Sequence, residues 1–115
     1  MSISAKDHWQ ERGKAWTATA VQGISADDTF NQMIIAEAGI QAGEKILDLA
    51  SGTGNPAVSI AHSMKGDGDV ICADLTQLML KTARQRAEKL SLGIMSFTAA
   101  DMAALPFDDG QFDAI

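Results

Sequence analysis

A glycine-rich loop that follows an apolar segment constrains the fold more than any other feature of this chain. Residues 45–50 are typical of a short buried strand that only Asp48 interrupts, and residues 51–54 read Ser-Gly-Thr-Gly. Asn55 and Pro56 then offer a helix N-cap and a first helical position. Glycine lets the backbone approach a ligand closely, and the amides at a helix start receive ligand oxygens. The segment therefore predicts a strand, a binding loop and a helix in succession.

The alternation of strand and helix continues downstream. We expect strands over 69–73 and 94–99, a helix over 77–90, and the beginning of a further strand at 112–115. Two helical segments, 5–22 and 26–37, are expected before the first strand, with Gly13 as the weak point of the earlier one. This order implies an α/β fold, a parallel sheet with helical crossovers.

Composition and charge exclude several classes of protein. The chain has 115 residues and a net charge of −6, which opposes a nucleic-acid partner because phosphate affinity requires clustered Lys and Arg. No apolar run is long enough for a membrane span, and the polar first ten residues do not resemble a secretory signal. The single cysteine, Cys72, excludes a disulfide framework and a multi-thiolate site, and we expect no metal. We expect a cytoplasmic protein.

Acids lie near the ends of the three predicted strands. Asp74 follows Gly54 by 20 residues, the spacing expected of an acid that binds ribose hydroxyls. A carboxylate inside an apolar strand is costly to bury, so a cationic ligand group would explain Asp48. Together with Asp101 these acids would repel a pyrophosphate, which favours S-adenosylmethionine over a dinucleotide. The pattern of Gly52, Gly54 and Ala57 keeps an NAD(P)-binding oxidoreductase domain as the alternative.

Three ordered segments resemble a known family. Residues 46–54 (ILDLASGTG) are similar to motif I of class I S-adenosylmethionine-dependent methyltransferases. Residues 70–80 (VICADLTQLML) resemble the second motif, and residues 99–115 resemble the next motif and the start of the fourth strand. The residues of these three segments are most similar to the ubiquinone/menaquinone-biosynthesis C-methyltransferase branch of that family. The resemblance implies a Rossmann-like, doubly wound, mostly parallel sheet, truncated at the start of its fourth strand, with a helical cap at 1–42 and a cofactor-binding half at 43–115.

The resemblance also implies which residues bind the cofactor. Asp48 and the backbone of 50–54 would face its methionine part. Asp74 would accept hydrogen bonds from both ribose hydroxyls, and Asp101 would accept one from the adenine amino group. The implied set is Asp48, Ala50, Ser51, Gly52, Thr53, Gly54, Asn55, Asp74, Leu75, Asp101 and Met102. Ala50 stands where the family often has a glycine, so a negative φ is expected there.

The expected function is methyl transfer from S-adenosylmethionine to a small molecule. The acceptor half would lie beyond residue 115, so no catalytic residue is named and the chain alone is expected to be inactive. The first strand would expose an open edge near 45–50, which predicts a homo-oligomer or a longer polypeptide. A non-catalytic module that associates through such edges is a further alternative. Trp9 and Trp16 are interpreted as packing residues in preference to substrate contacts, while the resemblance implies that the N-terminal helices cover the cofactor as a lid.

Overall fold

Three parallel strands joined by helices form the centre of the protein. Our computed structural model describes residues 4–19 and 23–115, so positions 20–22 of the expected first helix lie outside the described residues. In chain order the described residues form α1 (Ala5–Thr19), α2 (Thr29–Ala38), β1 (Lys45–Leu49), α3 (Ala57–Ser63), β2 (Asp69–Asp74), α4 (Gln77–Lys89) and β3 (Met95–Ala99). None of the helices in these ranges has the length and apolar character required to cross a membrane.

The strands pair in the order β1-β2-β3, and both pairs are parallel. On the edge of β1 opposite β2, Ile46 forms a parallel bridge with Ala114. There the Leu47 amide donates to the Ala114 carbonyl at 3.0 Å, and the Asp113 amide donates to the Lys45 carbonyl at 2.8 Å. The predicted α/β fold with a parallel sheet is confirmed. The edge of β1 that was expected to be open is occupied at these two positions.

An apolar core packs α3 and α4 against the sheet. It comprises Ile46, Ala57, Val58, Ile60, Ala61, Met64, Val70, Cys72, Leu80, Ala87 and Met95. Burying one side chain the size of Val or Leu contributes roughly 1.5–3 kcal/mol. The loops after the carboxyl ends of β1, β2 and β3 lie outside this core, at residues 50–56, 75–76 and 100–102.

Two boundaries around the glycine-rich loop differ from the expectation. β1 ends at Leu49 because Ala50 adopts φ +53°, a left-handed conformation that ends the strand and overturns the expected negative φ. α3 begins at Ala57, with Pro56 in the N-cap position, so Asn55 is not the N-cap. The Asn55 Oδ1 instead accepts a hydrogen bond of 3.2 Å from Arg86. The loop is therefore longer than the sequence indicated.

The N-terminal helix packs closely on α4 through Gly13. A Cβ placed on Gly13 would lie 3.2 Å from Cγ2 of Thr76 and 3.4 Å from Cγ of Met79. α1 continues through this glycine without a break. The residue that weakened the helix prediction is thus the one that permits the contact between the two helices.

Candidate functional site

A cavity of about 340 Å³ opens at the carboxyl ends of the strands. Ligand sites in proteins typically measure about 300–1,000 Å³, and parallel sheets bind ligands at this end. The residues that line it come from α1, from the loops after all three strands and from α4: Trp9, Trp16, Ala50, Ser51, Gly52, Thr53, Asn55, Asp74, Leu75, Met79, Ala100, Asp101 and Met102. All the residues expected to bind a cofactor line this cavity except Asp48 and Gly54.

Asp74 is a buried acid at the cavity whose two carboxylate oxygens are both hydrogen-bonded. Its side chain lies at the end of β2 and is only 7% exposed. Oδ2 accepts a hydrogen bond of 2.9 Å from the Gly52 amide, and Oδ1 accepts one of 2.8 Å from the Thr76 amide. Each carboxylate oxygen retains further acceptor capacity, because the group offers about four lone-pair sites. The carboxylate therefore fixes the glycine-rich loop and can still accept hydroxyl donors from a ligand.

Asp48 lies within β1 and does not line the cavity. Burial raises the pKa of its carboxyl to about 7, and although the Ala57 amide lowers this pKa, the nearby charge of Asp74 raises it. Its Oδ2 is buried and accepts no hydrogen bond from the described residues. Its neighbour across the sheet is Cys72, whose thiol pKa is raised to about 12 by burial and by the charge of Asp48. A buried acceptor of this kind suits a cationic group reached through water.

Gly54 serves the loop by packing and not by lining the cavity. Its φ is +100°, and a Cβ there would lie 2.9 Å from Cγ2 of Val58 and 3.3 Å from Cβ of Ala83. A side chain at this position would therefore force the loop away from α3 and α4. This explains why glycine occupies the second position of the Gly-x-Gly pattern.

Asp101 follows β3, the strand beside β2, and is exposed. Its Oδ1 accepts a hydrogen bond of 2.9 Å from the Ala103 amide, and its backbone carbonyl accepts one of 3.0 Å from the Ala104 amide. The turn that these bonds form places Asp101 and Met102 at the cavity. One carboxylate oxygen of Asp101 is left for a ligand donor.

Sequence reasoning missed part of this site. Trp9 and Trp16 were interpreted as packing residues, yet both line the cavity, at 45% and 55% exposure. Met79 and Ala100 were not among the expected site residues, and both line the cavity as well. Arg86 was not singled out at all. Its position seven residues after Met79 and three after Ala83 places it on the apolar stripe of α4, which was the available signal.

The cavity combines acids with apolar walls. Among the described residues that line it there is no Lys, Arg or His, while Asp74 and Asp101 both contribute carboxylates. Nor do the described ranges, 4–19 and 23–115, hold a group of three or more side chains placed to bind a metal. Such a cavity suits a ligand with hydroxyl and amino donors and a positive charge, and it disfavours a pyrophosphate.

The sequence belongs with methyltransferases when it is compared with known proteins. Residues 46–115 match the family described as "Methyltransferase domain". The protein named ubiquinone/menaquinone biosynthesis C-methyltransferase UbiE from Marinomonas sp. (strain MWYL1) is 39% identical over 82 residues, which cover 70% of this chain and 33% of that protein. The chain spans about a third of the length of the curated relatives it matches.

Solved structures support the same fold. A SAM-dependent methyltransferase from Aquifex aeolicus superposes with a TM-score of 0.70 at 18% identity, over 90% of this chain and 53% of that one. The cyclase SpnF superposes with a TM-score of 0.68 at 24% identity, over 76% of this chain and 32% of that one. Because neighbours with differently named reactions share this fold, the fold alone does not set the reaction.

Proposed function

Because this chain belongs to the methyltransferase-domain family, we propose that it forms the cofactor-binding part of an S-adenosylmethionine-dependent methyltransferase that acts on a small molecule. The observation that carries the proposal is the cavity at the strand ends, which joins the glycine-rich loop to Asp74 and Asp101. The family match also disfavours the NAD(P)-dependent oxidoreductase alternative.

The residues present fit S-adenosylmethionine in charge and in size. Asp74 would accept the ribose hydroxyls, and Leu75 would pack on the adenine, whose amino group would donate to Asp101. The backbone of residues 50–54 would face the methionine part, with Asp48 taking its ammonium group through water. The buried, unpartnered Oδ2 of Asp48 supports this last assignment.

The bound cofactor would supply a methyl group attached to a sulfonium, which transfers to the acceptor as the methyl–sulfur bond breaks and leaves S-adenosylhomocysteine. The residues described above contribute binding and orientation, which supply roughly 7–11 kcal/mol in well-aligned reactions. No group at this cavity is assigned as a general base. Residues 1–42 would act as a helical cap, which the lining of the cavity by Trp9 and Trp16 of α1 supports.

The acceptor is proposed to be small and apolar. Trp9, Trp16 and Met102 are exposed apolar side chains at the cavity, and they offer flat or flexible surfaces to such a molecule. The relatives reported above carry quinone biosynthesis in their names, which agrees with this chemistry. The oligomeric state and the cytoplasmic location stay predictions.

Calorimetry with two ligands tests the proposal. We expect S-adenosylhomocysteine to bind the chain at least about tenfold more tightly than NAD, because the acids of the cavity oppose a pyrophosphate. Tighter binding of NAD, or no binding of S-adenosylhomocysteine, contradicts the proposal.

A pair of variants tests the adenine assignment within the same experiment. Asp101→Ala should weaken binding of S-adenosylhomocysteine but not of S-inosylhomocysteine, which lacks the amino group. Asp109→Ala removes an exposed acid of the same chain segment, away from the cavity, and should alter neither affinity. Equal losses for both ligands in Asp101→Ala would assign the adenine to another residue.

A further inference from the structure

Arg86 is a buried guanidinium that bridges two separate segments. It lies on α4 with only 2% of its surface exposed. On one side Nη1 donates to the Thr53 carbonyl at 2.9 Å and to Oδ1 of Asn55 at 3.2 Å. On the other side Nη2 and Nε donate to the Gly23 carbonyl at 2.6 and 3.2 Å. The planar fork of the guanidinium thus holds the glycine-rich loop and the Gly23 carbonyl at a fixed separation.

The partners of Arg86 distinguish this bridge from an ordinary buried ion pair. Within the described ranges no carboxylate lies within 4 Å of it, and every acceptor is a neutral carbonyl or amide oxygen. Burial lowers the pKa of Arg86, while the more distant charge of Asp28 raises it. A buried charge without a close counter-ion is costly, so packing alone would favour an apolar residue here. The cost is explained if the two carbonyls must be held together.

Both segments that Arg86 joins lie close in sequence to residues that line the cavity. Thr53 and Asn55 belong to the loop wall. Gly23 lies four positions after Thr19, the last residue of α1, and that helix carries Trp9 and Trp16 at the cavity, whereas positions 20–22 lie outside the described residues. α1 also packs against the start of α4 at Thr76 and Met79 through Gly13. α4 therefore contacts both segments, at its start, where Gly13 of α1 packs against it, and in its last turn through Arg86.

We propose that Arg86 is a positioning residue that couples the glycine-rich loop to α1, so that a cofactor bound at the loop also fixes the helix over the cavity. This inference rests on the proposed function and extends it from a binding site to a linked closure. Coupling of this kind is reciprocal. If the bound ligand stabilises α1 over the cavity, then α1 in that position raises the affinity of the loop for the ligand by the same factor.

Hydrogen exchange measured with and without S-adenosylhomocysteine tests the coupling. In the wild-type chain we expect the ligand to slow exchange both at residues 50–55 and along α1. In Arg86→Lys, whose ammonium cannot span both carbonyls, we expect the dissociation constant to rise about tenfold. At saturating ligand its loop should still be protected, while α1 should exchange as in the free protein. Arg84→Lys is the matched control, because Arg84 is exposed on the same helix, and it should behave as the wild type.

Each outcome separates the coupling from a purely structural role. If Arg86→Lys lowers the melting temperature but keeps ligand-dependent protection of α1, the coupling is wrong and Arg86 only stabilises the fold. If the wild type binds the ligand without slowing exchange in α1, the coupling is equally wrong. If the wild type does not bind S-adenosylhomocysteine, the proposed function fails, and the inference fails with it. Arg86→Gln, which removes the buried charge and reaches only one segment, provides the same readouts where the lysine variant does not fold.

Discussion

The amide of Gly52 donates a 2.9 Å hydrogen bond to Oδ2 of Asp74, which ties the loop after β1 to the end of β2. The other oxygen of this carboxylate accepts the Thr76 amide at the start of α4. One buried acid therefore shapes the loop before any ligand arrives. A ligand whose hydroxyls reach Asp74 meets a group that is already held in place, which lowers the entropic cost of binding.

Asp74→Asn should weaken S-adenosylhomocysteine binding by about tenfold or more, because hydrogen bonds to a charged group contribute roughly 1.5–3 kcal/mol each. Stability should also fall by about 1–3 kcal/mol, since the new amide group opposes one of the two backbone amides. Calorimetry and thermal denaturation measure the two effects. Asp109→Asn, an exposed acid outside the cavity, should change neither. An unchanged dissociation constant in folded Asp74→Asn protein would show that the ribose is held elsewhere.

Asp48→Asn should make the protein more stable at neutral and higher pH. The folded-state pKa of Asp48 is raised to about 7, whereas an unfolded carboxyl releases its proton near pH 4. Between these values the folded chain binds more protons, so the wild type loses stability as pH rises from about 4 to 7. The asparagine variant lacks this loss and should gain on the order of 2–4 kcal/mol at pH 8.

Denaturant titrations of Asp48→Asn and the wild type at pH 4, 6 and 8 provide the measurement. The difference between the two proteins should widen with pH and level off above pH 7. Asp69→Asn replaces an exposed acid on the neighbouring strand and should show no such widening. A constant difference at all three values would mean that Asp48 does not retain a proton in the folded state.

Ala50→Gly should stabilise the chain by up to about 1 kcal/mol. Ala50 adopts φ +53°, where a Cβ costs roughly 1–2 kcal/mol, and the greater freedom of glycine in the unfolded chain offsets part of this gain. Chemical denaturation measures the change. Ala36→Gly, in the exposed part of α2, should have the opposite sign and lose about 0.5–1 kcal/mol. A loss of stability in both variants would contradict the left-handed conformation of Ala50.

Gly54→Ala and Gly39→Ala form a matched pair that separates close packing from backbone strain. Both glycines have positive φ, but a Cβ on Gly39 meets no atom within 4 Å, whereas one on Gly54 approaches Val58 to 2.9 Å. Gly39→Ala should cost about 1–2 kcal/mol from strain alone. Gly54→Ala should cost a further 1–3 kcal/mol from overpacking and should weaken ligand binding. Equal losses would mean that the loop does not pack on α3 as closely as described.

The sequence predicted those parts of the fold that a local residue pattern determines by itself. The succession of strand, glycine-rich loop and helix, with Asp74 at the end of the next strand, predicted the parallel sheet. Hydrophobic patterning located the strands to within a residue because each is bounded by glycine or an acid. The same spacing put the loop and Asp74 at one end of the sheet, and the structure brings them within hydrogen-bond distance.

Features that depend on contacts between distant segments were not predictable. The conformation of Ala50 follows from how the loop packs, and nothing in the neighbouring residues specifies it. Asn55 suits an N-cap by residue type, but its side chain is recruited by Arg86 from α4, 31 residues away. Trp9 and Trp16 were identifiable as large apolar side chains, yet their position over the cavity depends on how α1 docks through Gly13.

Because Cys72 is buried on β2, the rate at which its thiol is alkylated measures how often β2 separates from the neighbouring strands. Its thiol is fully inaccessible on the central strand β2, and a pKa of about 12 leaves almost no thiolate near neutral pH. Alkylation therefore requires β2 to separate from its neighbours, after which the thiol regains ordinary reactivity. As the chain contains one cysteine, the labelling rate of the unmodified protein reports a single event. Its dependence on ligand concentration then gives the free energy with which a ligand holds the central strands closed.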